Sequence, residues 1–239
     1  MKQALKDFEI SLARIDRVVQ EVVANTARAL ADPIVREIHE THLGGAVVLM
    51  VGHFEVFLRD VVRGFTESVA NRAAYMSLPA KIRERHFEGG GDVLTKVAKA
   101  QRTGSAGRWQ GIRQEDVATR IASVLVPSPA VPGSYSILWE AFADTQANPS
   151  SRVVKDILGR LDVGDAWRLI QSKAIAAKPP AANLLPVLDS LIEMRNECAH
   201  TGRPTQGVTA SAVTEYLEAL RAIASAICEV LEDQLASRY

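Results

Sequence analysis

Residues 42–65, HLGGAVVLMVGHFEVFLRDVVRGF, constrain this chain more than any other stretch. Wound as a helix, the segment is apolar on nearly all sides, and such a helix has to be surrounded by other elements. Gly, His, Glu and Arg break the run well before it reaches membrane-spanning length, so it reads as the centre of a helical assembly rather than a membrane span. The start is also marked. Asp32 suits an N-cap and Pro33 the first helical position, so the helix is expected to begin there. Gly44 and Gly45 cost intrinsic helix stability but, with the small Ala46, let another backbone come close.

The flanking segments have one apolar face each. Leu5, Phe8, Leu12, Ile15, Val19 and Val22 recur at steps of three and four and predict a long amphipathic first helix. At the other end Val213, Tyr216, Leu217, Leu220, Ile223, Ile227, Leu231 and Leu235 share one face of a helix over about Thr209 to Leu235. NPSSRVVKDILGRL (148–161) carries an Asn-Pro helix start, with Gly164 marking a junction before the next helix. No alternating strand pattern and no internal repeat is visible, so the chain is expected to be all-α, a single domain over residues 1–239.

The middle is harder to read. Over 77–113, short helical patterns are interrupted by Gly89-Gly90-Gly91 and by TGSAGRWQG, which has the composition of a loop. A helix is expected over Gln114 to Val126, and PSPAVPGS (127–134) is a connector. Residues 70–135 thus form a helical insertion with a long irregular part. Lys81 to Arg113 also holds eight basic residues against three acidic ones, which permits one cationic face on a chain with 28 basic and 28 acidic side chains. The overall balance gives no general pull toward nucleic acid or an anionic membrane. MKQALKDFEISLARIDR lacks the apolar centre of a signal peptide. Cys198 and Cys228 both fall in helical patterns and are expected to stay reduced, so the chain is placed in the cytoplasm.

One helix breaks its own pattern. In LLPVLDSLIEMRNECAH (184–200) successive residues turn by about 100 degrees, so that Leu188, Leu191, Ile192 and Ala199 lie on the same face as Leu184. Arg195 falls about 20 degrees from Leu184, in the middle of that face. Asn196 and His200, one turn apart, sit on its edge, while Asp189, Ser190, Glu193 and Glu197 take the opposite, watery side. A guanidinium keeps its proton, so placing it among leucines demands an anionic partner or a structured polar site. Glu55, the only acid on the stripe Val48, Val51, Glu55, Leu58, Val62, is one internal candidate, giving a structural ion pair. The other reading is a cleft or dimer seam wetted by Arg195, Asn196 and His200. An arginine that grips a phosphate bidentately and an imidazole that exchanges protons make a set of groups able to cleave a phosphodiester.

Arg195-Asn196-x-x-x-His200, at the end of the penultimate helix, resembles the signature of the HEPN superfamily: an arginine, a polar residue and, after a short gap, a histidine. GGAVVLMVGHFEVFLRDVV is similar to the family's early helix, with Glu55 in the usual acidic position. NPSSRVVKDILGRLDVGDAW followed by LLPVLDSLIEMRNECAH resembles the RiboL-PSP-type branch of bacterial HEPN proteins. The likeness covers roughly 40–65 and 145–235. His200 is followed by Thr201-Gly202, where many relatives have glycine directly. The resemblance implies a HEPN-like helical bundle, a homodimer with facing motifs, and metal-independent endoribonuclease activity on single-stranded RNA, as a toxin or antiviral defence effector with an antitoxin or inhibitor protein as a possible partner. It implies His200 as acid/base, Arg195 as stabiliser of the charged phosphorane, Asn196 as orienting residue and Glu55 as support for Arg195. The alternative is a HEPN module that binds RNA or nucleotide, or dimerises, without catalysis.

The other candidates are weaker. His39, His42 and His53 have no cysteine or carboxylate cluster at ligand spacing, so no metal and no other cofactor is expected. Trp109 with Arg108 and Arg113 could stack an unpaired RNA base and steer its backbone, though a Trp packed on a neighbouring helix explains the same residues.

Overall fold

The computed structural model describes residues 1–104, 112–124, 131–143, 148–177, 183–201 and 207–239. Its helices, in order, are α1 (Lys2–Ala24), α2 (Thr26–Ala31), α3 (Pro33–Arg72), α4 (Ala80–Thr103), α5 (Gln114–Ala122), α6 (Glu140–Ala143), α7 (Ser151–Arg160), α8 (Ala166–Ala177), α9 (Leu184–Thr201) and α10 (Ala210–Arg238). A single 3₁₀ turn, Tyr75–Ser77, lies between α3 and α4. No strand occurs among the described residues, so the chain is all-α as its periodicity predicts. No described helix is long and apolar enough to cross a membrane.

The long apolar stretch forms the hub. α3 runs for 40 residues and packs against α1, α2, α6, α9 and α10. Asp32 caps it, its carboxylate accepting from the Ile34 N–H at 2.9 Å, with Pro33 as the first helical residue. α1 lays Phe8, Leu12, Ile15, Val19 and Val22 against the hub. Phe8 meets Phe57 with ring centroids 4.9 Å apart and Phe54 at 5.9 Å. Burying each such side chain stabilises the fold by roughly 1.5–3 kcal/mol, which is why the α1–α3 pair survives without covalent ties. α10 packs on both α1 and α3 and buries all eight apolar residues its spacing singles out.

α3 is not surrounded everywhere, however. Leu49 is 56% exposed and Val56 46%, and a Cβ at Gly45 or Gly52 would meet no atom within 4 Å. These four residues share one stripe. Gly44 does face a neighbour, Cys198 of α9, but a Cβ there would sit at an ordinary 3.6 Å from Sγ. The glycines at 44 and 45 are therefore not forced by packing within the chain.

The middle segment departs most from expectation. Gly89-Gly90-Gly91 does not interrupt anything: α4 passes straight through it. A Cβ on Gly89 would lie 2.7 Å from the Ala141 Cβ, and one on Gly90 would lie 2.9 Å from Ile121 Cδ1. Two of the three glycines thus let α6 and α5 come close to α4, and close packing outweighs the intrinsic penalty. α4 ends at Gly104, which takes the left-handed conformation (φ 61°) suited to a helix end. α5 stops at Ala122, short of the expected Val126.

A buried polar knot fastens α4 to the segment before α6. His86 is fully buried. Its Nε2 accepts from the Leu138 N–H at 3.0 Å, and its Nδ1 lies 3.1 Å from the Tyr75 hydroxyl. A backbone N–H only donates, so Nε2 carries the lone pair and the ring proton sits on Nδ1. Arg120 makes a fork of two bonds, 2.9 and 3.0 Å, to the buried carboxylate of Glu140, tying α5 to α6.

Candidate functional site

α9 buries Leu184, Leu188, Leu191 and Ile192, as its angular pattern demands. Arg195 lies on the same side and is half-buried. Its Nε–H is buried and has no hydrogen-bond partner. One terminal nitrogen, Nη1, donates to Asn196 Oδ1 at 3.3 Å, and the guanidinium forms no ion pair with a carboxylate among the described residues. Glu55, the acid on the facing helix, is instead 3.6 Å from Arg59, one turn along α3. The Glu55–Arg195 pair is thus not formed, because Arg59 offers a cation on the same helix without burial. An orphaned buried donor costs roughly 1–3 kcal/mol, so the Nε–H of Arg195 stands where an apolar group would be more stable.

Asn196 is half-buried, and its Oδ1 also accepts from Asn148 Nδ2 at 2.8 Å. Asn148 comes from the strap leading into α7. The Asn-Pro pair does not start that helix: Ser150 is its N-cap, with Oγ accepting from Val153 N–H, and the first helical residue is Ser151. Asp189, expected on the watery side of α9, binds the strap. Its two carboxylate oxygens accept from the Ser151 N–H at 2.8 Å and the Ser151 hydroxyl at 2.7 Å. The Trp167 indole donates to the Ser151 carbonyl at 2.7 Å. Sequence spacing could not reveal Asn148, Ser151 or Asp189 as neighbours of the motif, since their pairings span 38 to 48 residues.

Past Arg195 the helix faces outward. Cys198 is buried against Gly44, and burial pushes its thiol above the ordinary range. Ala199 and His200 are exposed. The angular count puts Ala199 on the apolar face, yet it is exposed. His200 stands in the last turn of α9, so the arginine, the amide and the histidine follow one another along the rim of a single helix, from half-buried to open.

Arg108 and Trp109 lie outside the described residues. Arg113 is exposed and precedes α5, where Asp116 engages it through two bonds of 2.8 and 3.0 Å. A cavity of about 180 Å³ lies beside Arg63, Asn71, Arg120, Tyr135 and Trp139, none of them a residue of the motif. No cluster of His, Cys, Asp and Glu suited to a metal ion occurs among the described residues.

No curated protein and no solved structure matches the chain. The model of one family does, over residues 14–233, which include the whole of α9 and its partners. The chain belongs to the RiboL-PSP-HEPN family, a membership that points to a nuclease or RNA-related role.

Proposed function

We propose that this protein is a metal-independent endoribonuclease that cuts single-stranded RNA as a homodimer, acting in the cytoplasm as a toxin or antiviral defence effector held in check by an inhibitor protein. The single observation that carries the reading is the Arg195 guanidinium, on the leucine face of α9 with a buried, unpartnered Nε–H and no carboxylate partner among the described residues. A phosphate supplies both the charge and the acceptor that this group lacks. In the reaction the substrate's 2′-hydroxyl attacks the adjacent phosphorus and loses its proton to a base. The extra negative charge on the pentacoordinate phosphorane falls to Arg195, a preorganised cation aimed where charge develops. The 5′-oxygen leaves and takes up a proton, giving a 2′,3′-cyclic phosphate and a 5′-hydroxyl. His200 is the acid/base, and Asn196, fixed through Oδ1, turns its N–H donors outward to orient the phosphate.

Dimerisation is supported by the uncovered stripe of α3. Gly45, Leu49, Gly52 and Val56 recur at steps of three and four, and α9 packs on α3 through Cys198 at Gly44, the residue next to that stripe. An apolar helix stripe of this kind suits a second helix better than water.

The purified protein is expected to cut single-stranded RNA in the presence of EDTA, and His200→Ala to abolish cutting with an unchanged melting temperature. A second reading, an RNA- or nucleotide-binding module without catalysis, is favoured by one fact: among the described residues His200 has no hydrogen-bond partner that would orient its ring. Tight RNA binding with no new RNA ends, for wild type and His200→Ala alike, would establish that module instead.

A further inference from the structure

Asn196 Oδ1 receives two donors, Arg195 Nη1 at 3.3 Å and Asn148 Nδ2 at 2.8 Å. This pattern has one chemically allowed assignment. A guanidinium only donates, so the atom of Asn196 facing it must be the oxygen. The atom of Asn148 facing that oxygen must then be its NH₂ group. With Oδ1 turned toward Arg195 and Asn148, the Nδ2 group of Asn196 lies on the opposite side of the carboxamide.

Asn148 is held there by more than its own bond. Asp189 grips Ser151 through its N–H and its hydroxyl, and Trp167 grips the Ser151 carbonyl. Asp189 and Asn196 lie on one helix about 10 Å apart along its axis, seven residues at 1.5 Å each. The strap 148–151 is therefore fastened at both ends along α9, and its first residue meets the motif from outside the helix that carries it. The Ser150 N–H donates to the Asn148 carbonyl at 2.7 Å, a tight turn that aims the Asn148 side chain back onto α9.

We propose that Asn148 is a positioning residue of the Arg195–Asn196–His200 site: its amide locks the Asn196 carboxamide with oxygen inward and NH₂ outward, ready to donate to the phosphate. The proposal rests on the ribonuclease reading above for its kinetic consequence, but the orientation itself does not. Asn148 touches no substrate and acts only through Asn196. Without it, Arg195 alone holds the oxygen by the longer of the two bonds, and the carboxamide is free to turn. Asn148→Asp is worse than Asn148→Ala, because a carboxylate oxygen faces Oδ1, turns the amide over and draws the guanidinium away from its ligand.

The test uses the full-length protein and a short single-stranded RNA. Asn148→Ala is expected to lower kcat about tenfold, and Asn148→Asp about a hundredfold, with KM within about twofold, since misplacing a contacting group acts on the rate more than on binding. Melting temperatures are measured alongside. An unchanged kcat in Asn148→Ala, or a loss that tracks a collapse in melting temperature, overturns the proposal. A second readout needs no activity: in asparagine-labelled ¹⁵N spectra the Asn196 side-chain pair, identified by its loss in Asn196→Ala, shifts and broadens in Asn148→Ala. If wild type cuts no RNA, the ribonuclease reading fails, and this resonance decides the positioning role alone; an unmoved Asn196 pair in Asn148→Ala overturns it.

Discussion

His86 makes the fold acid-sensitive in a way that can be calculated. The ring is fully buried, and burial, helped by the nearby Arg120 cation, lowers its pKa from 6.5 to about 4. The folded protein therefore keeps a neutral imidazole while the unfolded chain takes up a proton as pH falls below about 6.5. Between those two values the unfolded state binds more protons, so stability rises with pH and is lost progressively as pH falls from about 6.5 to about 4. A shift of this size corresponds to about 3 kcal/mol at 1.36 kcal/mol per pH unit. The geometry says what fails: a proton on Nε2 points at the Leu138 N–H, its present donor, and the segment before α6 loses its attachment to α4. His86→Gln keeps an acceptor near the Nε2 position but does not titrate. Urea unfolding of both proteins at several pH values between 7 and 4 is the assay. Wild type is expected to lose about 3 kcal/mol more than His86→Gln over that range. Parallel curves for the two proteins would refute the assignment of a buried neutral histidine.

Three further outcomes follow from other parts of the molecule. Leu49→Glu, in the open stripe of α3, is expected to leave the fold intact and convert a dimer to a monomer in light scattering, with loss of RNA cleavage; an unchanged mass would remove α3 from the interface. Gly89→Ala puts a methyl 2.7 Å from Ala141 Cβ and is expected to destabilise by about 1–3 kcal/mol, whereas Gly91→Ala, which faces open space, gains up to about 1 kcal/mol of helix propensity. Thermal melts of the pair separate packing from propensity. Arg195→Met removes the orphaned donor and is expected to raise the melting temperature by a few degrees, about 2–4 °C per kcal/mol in a chain of this size, while abolishing cleavage; a lowered melting temperature would mean the guanidinium holds the fold together.

Much of the architecture was legible because helices with one wet side advertise it. α10 buries every residue its spacing names and α1 all but Leu5, which is half-buried, and Asp32-Pro33 starts α3 as a cap and a first residue should. What misled was local chemistry overruled by distant partners. Gly89-Gly90-Gly91 reads as a break, yet Ala141 requires the bare backbone at Gly89 and Ile121 packs closely on Gly90. Asn148-Pro149 reads as a helix start, yet the Asn148 amide is used on Asn196, 48 residues away, and Ser150 caps instead. Asp189 reads as a solvent-facing acid and is a clamp on Ser151. At the site, the angular count put Arg195 among leucines, where it is found. The same count put Glu55 within reach, and it could not see that Arg59, four residues on, takes that carboxylate.

The ends of the cleaved RNA test the central claim most directly. A defined single-stranded RNA, incubated with wild type, Arg195→Ala and His200→Ala in EDTA, is analysed by mass spectrometry. Wild type is expected to leave 2′,3′-cyclic phosphate and 5′-hydroxyl ends and neither variant any, all three proteins being equally folded. The same ends from Arg195→Ala at the wild-type rate would contradict it, since the lone guanidinium of α9 would then have no part in the chemistry.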